Sequence, residues 1–168
     1  MTEELRHADC PTTEATIDIA ASAPAVWTYV SDIQLPARFS SEFVGAEWRD
    51  GASRPEVGAR FVGRNTHAAI GVWETESTVT ACVPARLLEW PVGDLSAPAA
   101  VWRFSLEPSG DGTRLTQWVQ VGPGRSGINA AIDALPEKES KILRYRLAEL
   151  QRNMQATLEG IKRLVEAE

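Results

Sequence analysis

The chain has 168 residues, 43% hydrophobic and 24% charged, which suits one ordinary globular domain with a sizeable core and excludes disordered and collagenous classes. Seventeen Lys and Arg against 23 Asp and Glu leave a formal charge of -6, so nucleic acid and anionic membrane surfaces are not expected partners. Cys10 and Cys82 make no disulfide or zinc pattern, no run approaches the ~18 apolar residues of a membrane span, and residues 1–11 carry acids where a signal peptide would be apolar; a cytoplasmic protein is expected.

Residues 1–11 read as a flexible tail and 12–168 as a single domain. Ala15, Ile17 and Ile19 alternate with Thr16 and Asp18, the period of a half-buried first strand. Ser22 then caps a short helix with Pro24 in its tolerant first turn and Val26, Trp27 and Val30 on its apolar face. A second short helical stretch covers residues 33–39. Strands are expected over 44–49, 59–67, 70–83, 87–92, 100–106 and 113–121, separated by segments rich in Gly, Pro and Asp. Ser109-Gly110-Asp111-Gly112 marks a tight hairpin between the last two, and connections this short imply antiparallel pairing in a meander. From residue 136 to 166 the period changes: Leu143, Leu147, Leu150, Met154, Leu158, Ile161 and Val165 recur every three or four positions. Thirty residues of helix reach ~45 Å, enough to cross a sheet of six or seven strands and cover one of its faces.

The predicted fold is therefore α+β, a curved antiparallel sheet wrapped around a long C-terminal helix. This order of elements resembles the helix-grip fold of the START-like (SRPBCC) superfamily. Local phrases agree: Ser22-Ala23-Pro24-Ala25-Val26-Trp27 with Ser31-Asp32, Gly58-Ala59-Arg60-Phe61, Trp73-Glu74-Thr75 before Val79 and Pro84, and Trp102-Arg103-Phe104-Ser105-Leu106 before Gly112-Thr113-Arg114-Leu115-Thr116. They resemble the strand phrases of the bacterial polyketide cyclase/dehydrase and lipid-transport group. The resemblance implies a cavity between sheet and terminal helix; it does not fix the chemistry, because the superfamily includes carriers, receptors, cyclases and chaperone partners.

Strand parity sorts the side chains. With Glu74, Glu76, Arg60, Arg64, Arg103, Arg114 and Glu89 facing water, the inward aromatic set is Phe61, Trp73, Trp90, Trp102 and Phe104. The inward polar set is Asn65, Thr75, Ser77 and Gln117, with His67 near the strand end. Apolar walls with a few hydrogen-bonding groups are the make-up of a small-molecule pocket, and a plain core whose polar groups bond one another is the alternative. Tyr145, near the start of the long helix, is a further candidate contact for a ligand.

Gly122-Pro123-Gly124-Arg125-Ser126-Gly127 matches G-x-G-x-x-G, but a dinucleotide site needs a following parallel strand, and here a helix ends the chain. The string reads instead as a flexible loop over the cavity mouth, with Arg125 facing an acidic ligand group. His7 and His67 have no partners for a metal site, and no G-x-S-x-G elbow exposes a serine, so neither a metal nor another cofactor is expected. Three readings stay open: a carrier of a hydrophobic or aromatic metabolite such as a polyketide, lipid or isoprenoid; a cofactor-free cyclase or dehydratase; and a module that binds a protein partner. Trp118, facing outward with Thr116 and Gln120, marks a possible homodimer patch.

Overall fold

The computed structural model describes residues 3–168. Eight strands and three α-helices follow in the order β1 (Thr12–Ile19), α1 (Ala23–Val30), β2 (Phe43–Trp48), β3 (Arg60–His67), β4 (Gly71–Thr78), β5 (Ala81–Val83), β6 (Leu87–Val92), β7 (Ala100–Ser109), β8 (Gly112–Val121), α2 (Gly127–Ala134) and α3 (Glu139–Glu166). The sheet runs β1-β8-β7-β6-β4-β3-β2, antiparallel throughout, with β5 paired only to β6. It is a meander whose last strand returns to pair with the first, and α3 covers one face. This is the expected helix-grip arrangement.

Local chemistry accounts for most of the elements. Ser22 Oγ accepts the Ala25 N–H at 3.3 Å and starts α1, with Pro24 in the first turn. The β7–β8 hairpin closes on the pair Ser109↔Gly112, with Gly110 in the left-handed region that its turn requires. Along α3 the apolar stripe is buried from Leu143 through Leu150, Met154, Leu158 and Ile161 to Val165.

The structure corrects the expected strand over 70–83. β4 ends at Thr78 because the chain changes partners there: Val79 N–H still bonds to Ala59 O, whereas Thr80 N–H bonds to Glu89 O of β6. β4 and β6 share a single residue pair, Ser77↔Val92, so the sheet is joined most weakly beside the inward polar residues.

Two further departures lie outside the sheet. The chain after β8 contains α2, whose N-terminus is fixed by a capping box in which Asn129 Oδ1 accepts the Ser126 N–H at 2.7 Å. The expected flexible tail is laid on the domain among its described residues. Leu5 N–H donates to Ser140 Oγ at 3.1 Å, His7 N–H donates to Glu139 Oε1 at 2.8 Å, and His7 is buried beside Gly122. Met1 and Thr2 lie outside the described residues. Trp118 faces outward as expected, with the Arg103 guanidinium 4.3 Å above its ring.

Candidate functional site

A cavity of about 120 Å³ lies between the inner face of the sheet and α3. Its aromatic wall is continuous across the strands: Trp48 meets Phe61 edge-on at 5.5 Å, Phe61 meets Trp90 at 6.1 Å, and Trp90 meets Phe104 at 5.8 Å. Each ring comes from a different strand, β2, β3, β6 and β7, at the inward phase of its pleat. Gly63 stands between them on β3, where an added Cβ would press on the Phe43 ring at 3.1 Å and Thr75 Oγ1 at 3.3 Å. Absence of a side chain there helps keep the space open.

Eight of the ten residues proposed from strand parity and helix position line this space: Phe61, Trp90, Trp102 and Phe104 on the aromatic side, and Asn65, Thr75, Ser77 and Gln117 as the polar set. Trp73 and Tyr145 do not. Trp73 has the inward parity and pairs with Asn65 at the cavity's edge toward the hairpin end of β4, but it is only half-buried and is not among the lining side chains. Tyr145 is 66% exposed, since it lies off the buried stripe of α3. Arg125 is also corrected: it pairs with Asp133 of α2, and none of residues 122–127 lines the cavity.

The helix side of the site was missed. Leu150, Asn153, Met154 and Thr157 face the cavity from α3, together with Asp32, Ser40, Glu42 and Phe43 from the segment before and into β2. The signal for the helix group was available, because 150, 153, 154 and 157 are neighbours on a 3.6-residue period. The residues around 32–43 belong to an irregular connection and carry no such period.

Asn153 Oδ1 accepts both the Ser41 N–H and its hydroxyl at 3.0 Å, tying α3 to the segment before β2. Beside it, Arg146 Nη1 donates to Glu42 Oε2 at 2.6 Å, and Nη2 donates to the other oxygen. Glu149 stands 3.5 Å from Arg146 and 2.9 Å from His67 Nε2. The four side chains are only 11 to 18% exposed. Burial works against the Arg146 charge, but bonding to Glu42 and the charges of Glu42 and Glu149 outweigh it and hold the guanidinium above its ordinary value. His67 Nδ1 accepts the Ala69 N–H at 3.0 Å, which leaves the proton on Nε2, directed at Glu149. His67 is therefore engaged on both nitrogens and does not line the cavity, which removes it as an acid or base for a bound molecule.

Gln117 contrasts with this cluster. It is 5% exposed, lines the cavity, and its Oε1 has no hydrogen-bond partner. A buried amide oxygen left unpaired costs on the order of 1–3 kcal/mol, a penalty that a hydrogen-bonding molecule in the cavity removes. Among the described residues no group of three or more His, Cys, Asp or Glu is placed to hold a metal, and no helix is long and apolar enough to cross a membrane.

The same architecture occurs in solved structures. The polyketide-cyclase-like protein Cgl2372 of Corynebacterium glutamicum is 32% identical over 93% of this chain and 91% of its own, with a TM-score of 0.63. The di-domain ARO/CYC protein BexL from the BE-7585A biosynthetic pathway superposes with a TM-score of 0.70 at 20% identity, over 94% of this chain and 50% of its own. StfQ, the di-domain ARO/CYC from the steffimycin pathway, gives 0.70 at 14% identity, over 93% of this chain and 50% of its own. At those identities the two ARO/CYC proteins establish the shared fold alone, and this chain spans half the length of each. No curated protein matches the chain. The model of the family described as polyketide cyclase/dehydrase and lipid transport matches residues 11–166, nearly the whole length, and the chain belongs to that family.

Proposed function

We propose that the protein binds and carries a small hydrophobic or aromatic molecule in the cavity between sheet and α3. The observation that carries this reading is Gln117 Oε1, a buried acceptor with no partner in the protein, set among aromatic walls. Apolar area supplies affinity in such a site, and the unpaired amide oxygen orients a ligand hydroxyl. At about 120 Å³ the cavity is close to the ~150 Å³ apolar cavity known to take one benzene ring, and below the ~300 Å³ of the smallest drug-sized pockets. A single ring or short chain fits the space as it stands; a multi-ring polyketide requires the mouth to widen.

A cofactor-free cyclase or dehydratase is the second reading, favoured by family membership and by Asn65, Thr75 and Ser77 lining the same space. In that case these groups polarise a carbonyl, since His67 is turned away. The partner-binding module receives less support, because the cavity is not packed solid. We further propose a cytoplasmic location, a reading that the two free thiols, Cys10 and Cys82, support.

Thermal unfolding across a panel of alkylphenols, flavonoids, sterols and fatty acids tests the proposal. A ligand present at 100 times its dissociation constant stabilises the folded state by about 2.7 kcal/mol. The expected result is a raised midpoint for hydroxylated aromatics that is lost in Trp102→Ala. No shift with any class, at concentrations up to solubility, contradicts it.

A further inference from the structure

The charge lining the cavity has one sign. Among the residues that border it, the only ionisable side chains with a formal charge are Asp32 and Glu42, both acidic, and no Lys, Arg or His is present. The cation behind Glu42 is already committed, since Arg146 donates to both oxygens of Glu42 and also faces Glu149. Two carboxylates, Glu42 and Glu149, share the one guanidinium of Arg146, so it has no charge left over for an anion in the cavity. Asp32 is exposed; its Oδ1 accepts the Gln34 N–H at 2.9 Å, and no Lys or Arg of the described residues pairs with it. Deeper in, Gln117 borders the same space, more than nine-tenths buried, and its Oε1 is an acceptor with no partner in the protein. Donors on a ligand therefore find acceptors that include two carboxylates, whereas a carboxylate meets like charge and only neutral donors, such as the amide of Asn65 and the hydroxyls of Thr75 and Ser77, with no counter-charge.

We infer that the cavity selects by charge, taking neutral hydroxylated or cationic amphiphiles and turning away carboxylates. This rests on the reading of the cavity as a ligand site and names the class of ligand that fills it. Like charges brought together in a partly desolvated space lose far more than they would in water, so the sign of the ligand head group matters as much as its apolar body. Free fatty acids and aromatic acids are poor occupants; phenols, enols and amines of the same skeleton are good ones.

The test is calorimetric titration at neutral pH with three probes of one skeleton: para-propylphenol, para-propylbenzylamine and para-propylbenzoate. Amine and carboxylate both bring a charge out of water, so their difference reports the sign of the site and not the general cost of desolvation. The expected result is that phenol and amine bind and that benzoate binds at least about tenfold more weakly than the amine. That gap narrows in Asp32→Asn, a surface change that leaves the fold alone, and narrows further in Glu42→Gln, which also frees Arg146. Benzoate binding as tightly as the amine, or a gap that Asp32→Asn leaves unaltered, overturns charge selection while leaving the cavity a ligand site. Failure of all three probes to bind overturns both readings together.

Discussion

The space between sheet and α3 has two halves that follow the same inward-facing pattern and are filled in opposite ways. Toward β1, β8 and α1, the helix sets Leu158, Ile161 and Val165 into one buried cluster with Ile19, Val26, Leu115 and Val119. Toward β3, β4 and β6 it sets Asn153 and Thr157 beside Leu150 and Met154, and the opposing strands supply Gly63, Asn65, Thr75 and Ser77. The first half is close-packed. The second keeps a cavity, at the place where β4 and β6 are held by one residue pair. Burying apolar area stabilises by about 25 cal/mol per Å², so the filled half contributes most of the stability and the open half can be spared for binding.

A core truncation in the filled half should cost most. Leu158 is fully buried, and Leu158→Ala should cost about 4 kcal/mol in denaturant unfolding while leaving ligand affinity of the folded protein unchanged. A fall in affinity of the same size would mean that the two halves are one unit. Arg146→Met, at the cavity end, comes next. Leaving Glu42 and Glu149 largely buried without their cation should lower stability by about 3 kcal/mol, and here ligand binding should change as well. The smallest effect concerns Gly160, in mid-helix, where alanine ordinarily stabilises by about 1 kcal/mol. An added Cβ would stand 2.5 Å from the Phe39 ring, part of the connection between α1 and β2. Gly160→Ala should therefore destabilise, by about 1–2 kcal/mol, and a stabilised variant would show that Phe39 is free to move aside.

The two halves also differ in how far the sequence reveals them. Parity within strands placed Phe61, Trp90, Phe104 and Gln117 on the inner face, because one charged neighbour per strand sets the phase and the pleat carries it along. The apolar stripe of α3 was legible for the same reason. Parity does not say where along a strand the cavity ends, so Trp73 was included although it stands at the edge and is not among the lining side chains, and proximity to a helix end does not give a facing, so Tyr145 was assigned to the wrong side. The break after Thr78 depends on a change of hydrogen-bonding partner, a tertiary event with no local signature. Glu42 and Arg146 are 104 positions apart, and only the fold brings them together.

Gln117→Leu separates a side chain held unpaired for a ligand from one that serves the protein's own packing, through two readings on one variant. Exchanging an unsatisfied buried amide for an apolar side chain of similar size removes a desolvation penalty, so the ligand-free variant should unfold about 1 kcal/mol harder than the parent. Its response to para-propylphenol should at the same time weaken about fivefold or more, as loss of one hydrogen bond implies. A variant that is less stable than the parent and binds the phenol equally well would contradict the account, because Gln117 would then be part of the protein's own packing and not its contact with a ligand.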